Sequence, residues 1–156
     1  MNLNWRKMLP DKRESLLREG LLHLEFAMLL ADLQRSEGRL FAHEHPDLAL
    51  SWNSNKIAYL QQDPAVRIAR FDMCCYGMRT KVNMAPVRKT TKVLTNLQAL
   101  HTVLHNCHCH EKHTHTAIQG SEGGVRRSTW AQRYPEQFCK TVAETVAHHL
   151  RGTPQA

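Results

Sequence analysis

Between positions 101 and 115 the chain places six of its eleven histidines, and Cys107 and Cys109 lie among them. Imidazoles and thiols crowded this closely suit a metal better than a hydrophobic core, and a bound ion would dictate how the stretch folds. The run Cys107-His108-Cys109-His110-Glu111-Lys112-His113-Thr114-His115 holds more donors than one site needs, since zinc takes four in a tetrahedron. Cys109, His113 and His115 form a C-x3-H-x-H group able to wrap one ion from a tight loop. A fourth ligand must come from elsewhere, and Cys74 or Cys75 supplies it economically by tying the loop to the end of a strand. With four protein ligands the site is structural, because no position is left for water. The competing reading is a polar surface loop of ordinary histidines, and the density of donors weighs against it.

The surrounding chain suits one domain, 1–150, followed by a short tail, 151–156. Its 156 residues can bury a sizeable core, and 42% hydrophobic with 22% charged residues excludes a disordered or collagen-like chain. No apolar run approaches the ~20 residues of a membrane span. The first residues lack the apolar stretch and small-residue cleavage site of a signal peptide, so an intracellular chain with reduced cysteines is expected.

Apolar spacing predicts a helix over 13–36, with Leu17, Leu21, Leu24 and Met28 on one stripe and Leu22, Phe26, Leu29 and Leu33 widening it. Gly38 is placed to end it. Strands are expected at 39–45, 66–73 and 92–95, and short helices at 56–61, capped by Asn53 or Ser54, and at 97–105, capped by Asn96. A last helix starts near Pro135 and repeats Phe138, Val142, Val146 and Leu150 at four-residue steps. Strands alternating with helices predict an α/β fold: a small three-layer, mainly parallel sheet, half of a Rossmann-like domain, with a zinc-bound loop.

The net charge of +7 gathers partly in two places. Arg79, Lys81, Arg88, Lys89 and Lys92 lie on one loop and strand start, and Arg126 and Arg127 follow the flexible stretch Gly120–Gly124. Both suit phosphate contacts, although such runs also occur as plain solvated surface. Glu44, between His43 and His45 at a strand end, is a candidate for contacting a base edge or sharing a proton; its bland alternative is a loop cap or arginine partner. No dinucleotide glycine loop, P-loop, H-E-x-x-H or nucleophile elbow is present.

In order, GRLFAHEHPDLALSW (38–52), FDMCCYGM (71–78), PVRKTTKVLTN (86–96), the C-x3-H-x-H group (109–115) and Ala131…Tyr134-Pro135…Cys139 resemble an uncharacterised domain family. That family is carried in polyproteins and retroelement-like genes of fungi and dinoflagellates. Its pattern sets a cysteine three residues before a glycine, which implies Cys74 as the fourth ligand beside Cys109, His113 and His115. The family's order is in turn similar to the later half of cytosine-C5 DNA methyltransferases. That resemblance implies a base-pocket role for Glu44, a missing N-terminal half or partner chain at an open sheet edge, and S-adenosylmethionine binding only when that half is supplied. No Pro-Cys nucleophile motif occurs. The leading expectation is therefore a non-enzymatic, zinc-stabilised module that contacts nucleic acid. A half or remnant of a methyltransferase-like enzyme and an inert interaction domain are its rivals.

Overall fold

A computed structural model describes residues 7–110 and 113–152, so Glu111, Lys112 and the tail from residue 153 lie outside it. The elements run α1 (Pro10–Ser36), β1 (Ala42–Pro46), α2 (Asn55–Leu60), β2 (Arg67–Asp72), β3 (Thr90–Thr95), α3 (Gln98–His105), β4 (Ser121–Glu122), β5 (Val125–Arg126), α4 (Arg127–Trp130) and α5 (Glu136–Gly152). A 3-10 turn, Met73–Tyr76, continues directly from β2. Ser54 caps α2 by accepting from the Lys56 amide. Asn96 does not cap α3. Its side chain instead accepts from the Phe41 amide and donates to the Arg39 carbonyl, fastening the approach to β1.

The sheet is antiparallel, which corrects the parallel, Rossmann-like layout expected from the sequence. Its order is β1-β3-β2, and the central strand β3 runs against both neighbours. β1 and β2 share a direction but never touch, because β3 is inserted between them. The cause lies in the connections. A parallel neighbour needs a crossover of a dozen or more residues, usually a helix. Here the 73–89 connector brings the chain back with only the short 3-10 turn and no crossover α-helix, held by an antiparallel bridge between Arg79 and Pro86. Strand–helix alternation was visible in the sequence, but the order of strands in space was not.

Residues alternate across the sheet and feed two cores. On one face Ala69, Phe71 and Val93 pack with Leu97, Leu100 and Leu104 of the α3 region and Phe138 of α5. Phe71 is fully buried, with its ring 5.5 Å from Phe138 and 5.7 Å from Tyr76. On the other face Leu94 packs with Met28 and Ala31 of α1, Ile57 and Leu60 of α2, and Val66. Three layers result, with helices on both faces. The long α1 departs from the single wide stripe expected of it. Leu17 and Leu21, on the N-terminal half of the first stripe, are exposed, Met28 and Ala31 are buried and Leu24 and Ala27 partly so, and the second set, Leu22, Phe26, Leu29 and Leu33, stays exposed. At ~100° per residue the second set lies on roughly the opposite side of the helix.

The Gly120–Gly124 stretch, expected to be flexible, forms a hairpin between β4 and β5. Gly123 and Gly124 both have positive φ (57° and 76°), the backbone that a two-residue hairpin turn of this twist requires.

Candidate metal centre

The chain leaves β2 at Asp72 and tightens into the Met73–Tyr76 turn, which ends at Gly77 with φ 81°. Cys74 sits on this turn, half-buried, while its neighbour Cys75 is exposed and lies outside the set of donors that converge. The other donors come from the loop after α3. One ligand atom each from Cys74, Cys109, His113 and His115 lies within 4.8 Å of every other. Within that group Cys109 Sγ is 3.3 Å from His115 Nε2 and 3.6 Å from His113 Nε2, and the two ring nitrogens are 3.0 Å apart.

Mutual distances of this size around a common centre are poorly served by hydrogen bonds, because each ring N–H or lone pair points along one line only. A cation at the centre meets all four lone pairs together. The four residues can therefore hold one metal ion. Burial first, then a hydrogen bond with Cys109 and repulsion from its thiolate, together push the Cys74 thiol up to about 12. A bound cation would reverse that preference by stabilising both thiolates.

Asp72, which is not among the ligands expected from the sequence, organises the junction. Its side chain is 1% exposed. It accepts from the Cys109 amide (3.1 Å), the Thr90 hydroxyl (2.6 Å) and Arg88 Nε (3.3 Å), and its own amide donates to the Cys107 carbonyl. Burial alone would raise its carboxyl, but these donors outweigh burial and hold it below the usual carboxylate range. The end of β2, the start of β3 and the metal loop thus meet on one carboxylate. The signal available in sequence was the spacing Asp72-x-Cys74, an acid two residues ahead of a ligand.

The remaining donors of the histidine-rich stretch have other places. His101 and His105 stack on α3 with ring centres 5.1 Å apart, and His108 meets His105 edge-on. Cys107 packs against the first core, and His110 is exposed.

Glu44 is not flanked by imidazoles in space. Strand alternation sends His43 and His45 to the face of Trp52 and Ser51, and Glu44 to the opposite face. There Tyr134 donates to Glu44 Oε2 at 2.5 Å, while Oε1 is buried without a partner among the described residues. Burial, followed by this carboxylate, raises the Tyr134 phenol above its ordinary value.

The basic residues divide. Arg88 is bound to Asp72, Lys92 to Asp47 (3.0 Å), and Lys89 Nζ donates to the Ala131 carbonyl and lies 5.2 Å from the Tyr134 ring centre. Arg127 donates to the Ala117 and Gln119 carbonyls. Arg79, Lys81 and Arg126 are exposed, Arg79 Nη1 also donating to the Met84 carbonyl at 3.2 Å. Arg79 and Lys81 border a shallow cleft with Trp130, Arg133 and Tyr134. Arg133, also exposed, was not anticipated from the sequence.

No protein-family model, curated protein or solved structure matches the chain. Among the described residues no helix is long and apolar enough to cross a membrane.

Proposed function

We propose that the chain is a zinc-stabilised, non-enzymatic module that contacts nucleic acid through the exposed basic face beside its metal centre. The observation that carries this reading is the convergence of two sulfurs and two imidazole nitrogens. A tetrahedral zinc with bonds of ~2.3 Å to sulfur and ~2.0–2.1 Å to nitrogen sets its S–N and N–N edges at about 3.4–3.6 Å. The corresponding separations here are 3.0–3.6 Å. Two thiolates with two imidazoles are a soft, nitrogen–sulfur set that suits zinc over calcium or magnesium. Four protein ligands favour a structural ion over one that activates water.

The metal would fix the Met73–Tyr76 turn, and Gly77-Met78-Arg79 leave that turn for the basic cleft. Arg79, Lys81 and Arg133 could reach phosphates there, and Trp130 and Tyr134 offer aromatic surface for a base.

Two measurements test this. Metal analysis of protein purified without chelator or histidine tag is expected to find one zinc per chain, lost in Cys109→Ser and His115→Ala; a zinc content near zero rejects the metal centre. Fluorescence anisotropy with labelled single-stranded and duplex oligonucleotides at low salt is expected to show binding that weakens in Arg79→Gln/Lys81→Gln. Absence of binding by the zinc-loaded chain rejects the nucleic-acid role and leaves an interaction domain.

A further inference from the structure

α1 carries an apolar stripe that the fold does not use, and we propose that two copies of the chain pair through it as antiparallel helices. Leu22, Phe26, Leu29 and Leu33 are 60, 62, 65 and 46% exposed, and they lie opposite the side that packs on the second core. Such a set on a soluble chain marks an interaction surface.

The pattern identifies the occupant. The four residues are spaced 4-3-4, the heptad seam on which two helices interlock side chains. That spacing reads the same in both directions, so a two-fold axis between residues 27 and 28 pairs the seam with itself. Phe26 then meets Leu29 of the second copy, and Leu22 meets its Leu33. A self-complementary patch of this kind is what a two-fold dimer requires. With the adjacent Leu30, 44% exposed, the stripe offers about 500 Å² per copy, or about 1,000 Å² in the pair, which reaches the lower bound of a specific interface.

One feature favours antiparallel pairing. Each helix carries its folded body on its C-terminal half, where Met28 and Ala31 are buried. Antiparallel helices place those bodies, each part of a chain of net charge +7, at opposite ends instead of side by side. Asp32 flanks the seam, and Arg35 already neutralises it at 2.7 Å. The seam itself carries no cation, so it is separate from the basic cleft and independent of the zinc and nucleic-acid readings.

Sedimentation equilibrium of the full chain across the micromolar range is expected to show a species of about 36 kDa, twice the 18.0 kDa chain. Phe26→Lys and Leu29→Lys should each weaken association by about 100-fold. Their far-UV spectra should stay unchanged, because neither residue belongs to a core. Phe26→Glu mixed with Leu29→Lys should recover the dimer, since the antiparallel register sets the new charges face to face. A wild-type chain that stays monomeric throughout overturns the proposal, as does a Phe26→Lys variant that still dimerises. Failure of the mixed variants to associate overturns the antiparallel register.

Discussion

Asp47 holds together two cations that the sheet forces side by side. The register sets Arg70 directly opposite Lys92 on adjacent strands, a like-charge pair that destabilises a sheet on its own. Asp47, just beyond β1, bonds both at 3.0 Å. Burial would raise its carboxyl, but the two cations outweigh burial and hold it below the ordinary carboxylate range. A carboxylate whose folded value is depressed contributes stability above its unfolded value, ~3.9, and loses it as pH falls through the folded value. Asp47→Asn is therefore expected to cost about 1–3 kcal/mol at neutral pH, in urea melts, with the gap to wild type closing as the solution is acidified below the ordinary carboxylate range. Asp72 holds the candidate metal centre through the Cys109 amide. Asp72→Asn should weaken zinc binding by about 10–100-fold in competition with a chromophoric chelator, while Asp47→Asn leaves it unchanged.

At the scale of elements, a bound ion would make the Met73–Tyr76 turn and the loop after α3 depend on each other, whereas the helices and the sheet are held by their own cores. Chelation should free the loop and leave far-UV ellipticity nearly unchanged. Thiol titration should then count Cys74 and Cys109 in addition to the already exposed Cys75 and Cys139. Phe71→Ala, by contrast, removes the ring between Tyr76 and Phe138 and is expected to cost about 3–5 kcal/mol in denaturant unfolding. The elements were mostly legible in the sequence because their signals are local. Apolar runs, turn residues and spacing placed α1, β1, α2, β2, β3 and α3 within a few residues, and Pro135 announced α5. Asn96 shows where local reasoning failed: its side chain satisfies a distant strand instead of its own helix.

For the whole molecule, charge is the property that reaches furthest. If Arg79, Lys81, Arg126 and Arg133 each neutralise one phosphate, the logarithm of the duplex affinity should fall against that of salt with a slope of about −3.6. Arg79→Gln/Lys81→Gln should bring that slope to about −1.8, read from anisotropy titrations at several salt concentrations.

The histidine- and cysteine-rich stretch singled out Cys109, His113 and His115 by itself, because ligands on one short loop are neighbours whatever the rest of the chain does. Which donor completes the set depended on the end of β2, where the turn brings Cys74 into the group and leaves Cys75 exposed. Periodicity likewise fixed that α1 is a helix, but only packing decided that Leu24, Met28 and Ala31 on one side are covered while the opposite stripe stays open. The antiparallel sheet had no local signal, since strand order follows from which residues meet across the core. Composition and spacing decide what each segment is; long-range contacts decide which segments become neighbours.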